Sequence, residues 1–291
     1  MGISDRAFNV ILNIIIFIIM LLVLYPMVMV VSSSFSSGEA LMSGRVLLWP
    51  VDISFTGYEL VFANNSVWTG YANSIFYTIC NTTLSVILTI LTAYPLSRNN
   101  FQGKPLMNTL FLIPMFFSGG LVPGYINATN LGLVNSRWGM VAMAGISMSH
   151  VVIMRTFFQT SIPDGLHEAA QIDGINDFQY LFQIILPLAK ASLAVISLYN
   201  IVGNWNAYFG PMIYLRDRDL FPLQLVLREI LAATKVDASQ FSDPGLVAKL
   251  SGAAEVMKYS LIVVSTIPMM ILYPFVQKFF EKGVMVGSLK G

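Results

Sequence analysis

The sequence predicts an all-α polytopic membrane protein, and two observations predict it: composition and the grouping of apolar residues. Of the 291 residues, 56% are hydrophobic and only 11% are charged. Soluble domains carry about 25% charged residues, so a water-exposed fold of this size would leave much apolar surface uncovered. The apolar residues also form runs of the length that a helix needs to cross the hydrocarbon layer, about 20 residues.

Six such runs are predicted to be transmembrane helices. The first is too long for the core of a signal peptide, so we expect it to remain as an anchor. The third contains Pro114, Gly119, Gly120 and Pro123, which predict a kink or an early unwinding. In chain order the runs are Phe8–Val31, Tyr71–Ser97, Leu106–Ile126, Trp138–Thr160, Leu186–Leu215 and Lys258–Phe279.

Six spans place both termini on the same side of the membrane. The Lys and Arg residues divide evenly between the two sides, so their number does not decide the orientation. The short loop Ser97–Pro105 holds Arg98 and Lys104 and no acid, which favours the cytosol for this loop and for both termini. The long loops, about 32–70 and 216–257, then lie on the opposite side.

The second long loop contains a segment with apolar residues at helical spacing, Leu220–Ala233. We expect an amphipathic helix there, which lies at the membrane surface or against a partner, or else caps the ends of the spans. The polar, turn-rich stretch Asp237–Gly245 ends it.

Several classes of function are not supported by the sequence. The net charge of +1 offers no basic field for nucleic acid. The single cysteine, Cys80, excludes an internal disulfide and is predicted to be a small buried hydrophobe. A Gly-rich phosphate loop ending in Gly-Lys-Ser/Thr is absent, so we do not expect this chain to hydrolyse ATP. The spacing typical of a metal-ligand cluster or a catalytic triad is absent as well.

A polar island between the fourth and fifth spans predicts a helix-turn-helix. Ser161 is a candidate N-cap, with Pro163 in the first turn and Asp164 three residues after Ser161. Asp173-Gly174 should end this first helix, because Gly adopts the left-handed conformation at little cost. Asn176 or Asp177 can cap a second short helix that runs to Ile185.

This island resembles the EAA loop of permease subunits of ATP-binding-cassette (ABC) importers. The family signature is E-A-A, three residues, G, nine residues, I, one residue and L-P. The matching residues here are Glu168, Ala169, Ala170, Gly174, Ile184, Leu186 and Pro187, with Asp173 before the glycine.

Other segments extend the resemblance to nearly the whole chain. Trp205-Asn206, the segments Ile213–Asp217 and Phe221–Gln224, and the ending Gln277–Gly291 are similar to the carbohydrate-uptake group. The ending is most similar to the oligosaccharide and acidic-polysaccharide branch, which includes maltose-importer and alginate-importer permeases. Many relatives have a second proline four residues after the L-P, where this chain has Ala191.

The resemblance implies a type I ABC importer transmembrane fold with six transmembrane helices and a cytosolic coupling helix. Residues 1–291 would form a single permease domain, with an N-terminal helix at about 8–31 and a core at 71–279. The segment 161–187 would be the cytosolic coupling loop, 216–257 an extracytoplasmic loop and 280–291 a cytosolic tail.

The resemblance also implies partners, and a location in the bacterial cytoplasmic membrane with both termini in the cytosol. We expect a second permease subunit in a heterodimer, two ABC ATPase subunits, an extracytoplasmic solute-binding protein, a carbohydrate substrate and membrane lipid. The chain itself would hold no cofactor, because ATP and Mg²⁺ bind the partner ATPases. The residues expected to transmit ATPase closure are Glu168, Ala169, Ala170, Asp173 and Gly174.

The fifth span holds candidates for the substrate pathway. Asn200, Asn204 and Tyr208 are spaced by four residues and should share one helix face. Amides with aromatic neighbours suit sugar hydroxyls, so Trp205 and Asn206 are candidates as well. Polar groups in membranes tend to face a partner helix or a water-filled cavity. Further candidates are Asn73, Asn81, Thr82, Ser147, Ser149 and His150.

For each residue alone, ordinary interhelical hydrogen bonding is the better interpretation. His150 is expected to be a satisfied structural histidine. His167, beside Glu168, is expected to be exposed at the ATPase contact.

The sequence thus predicts a permease subunit of an oligosaccharide importer, which is not an enzyme. A permease for another solute, such as a peptide or amino acid, is the nearest alternative. An ATP-independent secondary transporter and a purely structural anchor are further ones. The former would need coupling-ion residues, and the spans hold no acid away from their ends.

Overall fold

The structure is a computed structural model that describes residues 3–163, 165–233 and 244–288. Helices make up 80% of it, and the described part of the chain contains no strand. The helices are α1 Ile3–Ser34, α2 Gly38–Met42, α3 Thr56–Ala63, α4 Asn65–Ser97, α5 Lys104–Phe116, α6 Leu121–Asn130, α7 Arg137–Ala144, α8 Met148–Ser161, α9 Gly165–Ile172, α10 Asp177–Tyr180, α11 Leu186–Leu188, α12 Lys190–Trp205, α13 Phe209–Tyr214, α14 Leu223–Ala233 and α15 Pro244–Ser288.

Three helices are long and apolar enough to span a bilayer without a break: α1, α4 and α15. Three pairs pass the same test only when joined across a bend: α5 with α6 at 116°, α7 with α8 at 47°, and Asp177–Leu188 with α12 at 80°. The described chain therefore has three straight spans, and six if each bent pair counts as one.

The bends correct the predicted spans. The predicted break in the third span is confirmed, since α5 ends at Phe116 and α6 begins at Leu121. The fourth span was predicted to be continuous but breaks at Gly145, whose φ of +26° is incompatible with a helix. The fifth was predicted to run to Leu215 but bends at Ala189 and ends at Trp205.

The sixth helix is longer than predicted. It begins at Pro244 instead of Lys258, so much of the predicted loop 216–257 is helical. The predicted tail 280–291 continues α15 as far as Ser288. Asp164, residues 234–243, which include most of the predicted turn-rich stretch Asp237–Gly245, and residues 289–291 lie outside the described residues.

The chain divides into two compact units. Unit 1 comprises the residues up to Trp68 together with Val226–Ile267, and unit 2 comprises Thr69–Leu225 and the residues from Pro268 onward. Within unit 1, a Cβ on Gly38 would come within 2.6 Å of the Gly252 backbone, so α2 and α15 approach backbone to backbone.

The core of unit 2 lies where α4, α8, α12 and the 161–187 segment meet. Met154, Tyr180, Ile185 and Ile196 are almost completely buried there. The full cluster is Ala93, Tyr94, Leu96, Val151, Met154, Phe158, Ile162, Ala170, Tyr180, Leu181, Ile185, Ala189 and Ile196. The polar island is thus packed into the core and does not hang free of the bundle.

The segment that precedes α14 is fastened to α4 within unit 2. Asn73 Nδ2 donates to the carbonyls of Asp219 at 2.7 Å and Phe221 at 3.1 Å. Tyr77 OH donates to the Leu220 carbonyl at 3.0 Å, and Ser74 Oγ accepts from Leu223 N at 2.8 Å.

The amphipathic segment is confirmed as helix α14. Leu223, Leu225 and Val226 on it are buried, which favours the packed cap over a free helix at the membrane surface. Cys80 in α4, predicted to be a small buried hydrophobe, is only partly buried.

Candidate functional site

The 161–187 segment folds as two short helices around a left-handed glycine. Gly174 has φ +77°, and its N–H donates to the Gln171 carbonyl at 3.1 Å. The N–H of Ile175 donates to the Ala170 carbonyl at 2.9 Å, which completes a Schellman motif. The predicted stop at Gly174 is therefore confirmed. The predicted start is wrong, because Ser161 is the last residue of α8 and α9 begins only at Gly165.

The second helix, α10, begins with a capping box. Asn176 Oδ1 accepts from Gln179 N at 2.9 Å, and Gln179 Oε1 accepts from Asn176 N at 3.2 Å. Of the two predicted caps, the structure thus uses Asn176. A π-helical turn at Leu181–Ile185 then leads into α11, where Pro187 occupies a position in the first turn.

His167 is part of the interior of this segment, contrary to the expectation that it would be exposed. It is 9% exposed, its Nε2 lies 3.0 Å from Asp177 Oδ1, and its ring meets the Tyr180 ring edge-on at 4.9 Å. These contacts tie α9 to α10. The expectation failed because the partners of His167 lie ten or more residues further along the chain.

The five residues predicted to transmit closure separate into two sets. Glu168, Ala169, Asp173 and Gly174 are exposed, whereas Ala170 is 4% exposed and belongs to the core of unit 2. Ala170 therefore packs the segment internally and leaves the outward face to the other four residues.

Large apolar side chains add to the outward surface of the segment. Ile172 is 87% exposed, Phe178 is 68% exposed and Phe182 is 53% exposed. The two phenylalanine rings lie 5.5 Å apart. Sequence reasoning missed these residues, although apolar residues within a polar island were the available signal. A polar segment that keeps such side chains in the open is typical of a protein-binding surface.

The C-terminal end of α4 holds the 161–187 segment in place. Tyr94 OH donates to the Asp177 carbonyl at 3.3 Å. The Arg98 guanidinium lies over the Tyr94 ring at 5.9 Å and over the Tyr180 ring at 5.5 Å. A displacement of the segment would therefore be transmitted directly to a long membrane-spanning helix.

The predicted substrate-pathway residues do not form one face. Asn200 and Asn204 lie on α12, but the helix ends at Trp205, so Tyr208 lies beyond it. Trp205 is buried, with its ring 5.9 Å from that of Tyr71. Asn206 is exposed and donates to the Val202 carbonyl of its own helix.

The two asparagines of α12 contact different helices. Asn200 Nδ2 lies 3.2 Å from His150 Nδ1 and also donates to the Ile196 carbonyl, so His150 is a hydrogen-bonded structural histidine as predicted. Asn204 Oδ1 accepts from Asn81 Nδ2 on α4 at 3.1 Å.

The Asn81–Asn204 pair lines a cavity of about 230 Å³ in unit 2. Sequence reasoning found these two residues but missed the rest of the lining, because the other residues come from helices distant in sequence. The lining residues are Tyr77, Asn81, Met140, Met143, Ala144, Asn204, Ala207, Gly210, Pro211, Tyr214 and Pro222.

The remaining candidates lie elsewhere. Asn73 is structural, because it accepts a hydrogen bond from Arg137 at 2.7 Å besides holding the segment before α14. Thr82 lines a second, mostly apolar cavity of about 380 Å³ together with Trp205. Ser147 is the residue before α8, and Ser149 lies in its first turn. Among the described residues, no group of three His, Cys, Asp or Glu side chains could hold a metal ion.

Comparison with solved structures agrees with the fold. A chain from the crystal structure of a bacterial ABC transporter involved in the import of the acidic polysaccharide alginate superposes with a TM-score of 0.88 at 36% identity. The match covers 96% of this chain and 99% of that chain.

Comparison with known sequences gives relatives of full length. The polygalacturonan/rhamnogalacturonan transport system permease protein YtcP of Bacillus subtilis is 34% identical over 291 residues, covering 99% of this chain and 100% of that protein. The diacetylchitobiose uptake system permease protein NgcG of Streptomyces coelicolor is 26% identical over 292 residues, covering 99% and 91%. A family model described as binding-protein-dependent transport system inner membrane component matches residues 2–286. The chain therefore belongs to the inner membrane components of binding-protein-dependent transport systems, the permeases of ABC importers.

Proposed function

We propose that this chain is the transmembrane permease subunit of an ATP-driven importer that moves a carbohydrate, an oligosaccharide, into the cell. The outward face of the 161–187 segment is the observation that carries the proposal, because it joins a charge to exposed apolar side chains on a rigidly held helix pair. The names of the relatives, which refer to polygalacturonan, diacetylchitobiose and alginate, support a sugar substrate.

In this proposal the 161–187 segment is the cytosolic coupling loop. Glu168, Ala169, Asp173 and Gly174, together with Ile172, would contact one of two ABC ATPase subunits, which bind ATP and Mg²⁺. Burial of Ile172 against a partner would remove most of its apolar surface from water, which favours binding by about 2 kcal/mol. Closure of the ATPases would then move α4 through the contacts of Tyr94 and Arg98.

The Asn81–Asn204 cavity is the proposed part of the pathway that this chain supplies. Its amides donate and accept hydrogen bonds, and Tyr77 and Tyr214 offer ring faces, a combination that suits sugar hydroxyls and the apolar faces of pyranose rings. The pair bond between Asn81 and Asn204 would have to open as a sugar hydroxyl takes its place. A second permease subunit would complete the pathway, and an extracytoplasmic binding protein would deliver the substrate.

The coupling role can be tested with Glu168→Lys in the assembled importer. The change reverses a charge on the proposed ATPase contact, so ATPase activity stimulated by loaded binding protein should fall by about tenfold or more. The matched control is Glu39→Lys, which makes the same charge change at an exposed position of α2 in unit 1.

Stimulated activity that stays normal in both variants would exclude the coupling role. Uptake of labelled oligosaccharide into vesicles supplies the second readout. Uptake that persists without ATP would indicate a secondary transporter, and uptake of peptide in place of sugar would indicate the alternative solute.

A further inference from the structure

A cluster of basic residues lies at the end of unit 2 that carries the 161–187 segment. Arg98 follows the last residue of α4, Lys104 is the first residue of α5, and Arg155 lies in α8. All three are partly buried. They converge, because Lys104 Nζ donates to the Arg98 carbonyl at 2.9 Å and Lys104 also interacts electrostatically with Arg155.

Among the described residues, none of these three cations has an acidic partner. In the described part of the chain no carboxylate lies within ion-pair distance of Arg98, Lys104 or Arg155, whereas Arg45 pairs with Asp52 and Lys258 pairs with Glu255. Partly buried like charges repel one another and lose part of their hydration, which is costly unless an anion is supplied.

Arg155 shows most clearly that the cluster lacks acceptors for its hydrogen-bond donors. Its Nη1 donates to Asn108 Oδ1 at 3.0 Å, but its Nε is buried and has no hydrogen-bond partner. A guanidinium offers five donors in a planar fork that matches phosphate oxygens. The buried Nε is out of reach of an external group, but Nη2 is neither buried nor hydrogen-bonded within the described residues, so it is the donor that an anion at this position would use.

The surroundings of the cluster identify the kind of anion. Arg98 and Lys104 occupy the short turn between two helices of membrane-spanning character, so the cluster lies at the boundary of the apolar layer. Beyond Lys104, α5 presents an open apolar face, on which Leu106, Leu110 and Ile113 are 62%, 50% and 47% exposed. A cationic head next to an exposed apolar helix face is complementary to a phosphate that carries acyl chains.

We infer that Arg98, Lys104 and Arg155 bind the phosphate of an anionic phospholipid, whose acyl chain follows the exposed apolar face of α5. Because Arg98 also stacks on Tyr94 and Tyr180, the bound lipid would reinforce the contact between α4 and the 161–187 segment. The site does not depend on the identity of the transported solute.

The test uses the assembled complex in nanodiscs of phosphatidylcholine with added phosphatidylglycerol. Native mass spectrometry counts the phosphatidylglycerol molecules retained by the wild type and by R98Q/K104Q/R155Q. The control R45Q/K249Q/K258Q removes the same number of cations from unit 1. The preference for phosphatidylglycerol should fall by at least about tenfold in the first variant and stay unchanged in the control.

The outcomes separate the competing explanations. Equal retention in both variants would overturn the proposal. Displacement of phosphatidylglycerol by millimolar inorganic phosphate or glycerol 3-phosphate would assign the site to a soluble phosphate and overturn the lipid. Loss of the ATPase subunits with unchanged lipid retention would assign the cluster to an acidic protein surface instead. If circular dichroism shows that the triple variant does not fold, K104Q alone serves, because Lys104 donates only to a main-chain carbonyl.

Discussion

Helices α1 and α4 are both long enough to cross a bilayer, but they differ in what they bury. The apolar window of α1 has a mean hydropathy of 3.1 and no buried residue, whereas that of α4 has a mean hydropathy of 1.7 and is 33% buried. The side chains of α1 between Phe8 and Met27 are exposed throughout. Helix α4 instead turns one face inward and the other outward.

The inward face of α4 is polar and its outward face is apolar. Ile75, Ile79, Ile87 and Leu91 are about half exposed. The buried polar residues are Asn73, Ser74, Thr78, Asn81, Thr82, Ser85, Thr89 and, at the end of the helix, Ser97. Polar side chains in membranes face other helices or cavities, because lipid cannot bond them. Hydropathy thus identifies both spans, but the polar face indicates that α4, unlike α1, packs against other helices or cavities of the chain.

The sharpest test of this contrast removes one asparagine from each helix. Asn73→Leu deletes the bonds to Arg137, to the Asp219 carbonyl and to the Phe221 carbonyl. It leaves the carbonyls of Asp219 and Phe221 without this donor, so the free energy of unfolding should fall by about 4 kcal/mol. Thermal unfolding in detergent, followed by circular dichroism, measures the change.

The matched control is Asn13→Leu, at an exposed position in α1. It should change the free energy of unfolding by less than about 0.5 kcal/mol. Equal losses in the two variants would show that the polar face of α4 is no more structural than the surface of α1.

A second pair compares leucines. Leu96 of α4 is 3% exposed and belongs to the unit 2 core, whereas Leu22 of α1 is 69% exposed. Leu96→Ala should lower the free energy of unfolding by about 3 kcal/mol, because it leaves a cavity that the neighbours fill only in part. Leu22→Ala should change the midpoint of thermal unfolding by less than about one degree, since a side chain surrounded by detergent loses few contacts. A large loss at Leu22 would mean that α1 is packed against something in the detergent-solubilised protein.

The sequence predicts the spans and local turns of this chain well, because their signals are local. The run of apolar residues in α1 and the stop at Gly174 need only neighbouring residues to define them. The breaks at Gly145 and Ala189 were not predicted, since a glycine or alanine within an apolar run has no local feature that requires a bend. Those breaks depend on how the helices pack.

In the candidate site, too, some features follow from local sequence and others only from tertiary packing. Glu168 and Gly174 were selected through the resemblance of local residues to the EAA signature, and their coupling role stays a prediction. The burial of His167, in contrast, depends on Asp177 and Tyr180. The cavity pair Asn81 and Asn204 is separated by 123 residues, so its contact cannot be read from periodicity. Such contacts are set by tertiary packing, which a single sequence does not encode in a visible pattern.

The smallest expected effect is a stabilisation instead of a loss of stability. Thr89 of α4 is completely buried, and its Oγ1 has no hydrogen-bond partner. Thr89→Val keeps the shape and removes an unsatisfied polar atom, so it should raise the free energy of unfolding by about 1 kcal/mol. Thr83→Val, at an exposed position of the same helix, should change it by less than about 0.5 kcal/mol. Destabilisation by Thr89→Val, measured by the same thermal unfolding, would mean that its hydroxyl bonds a group outside this chain, either water or a partner helix. In that case the polar face of α4 contacts water or a helix of a partner subunit. The difference between α4 and α1 would then depend on the surroundings of each helix as well as on its sequence.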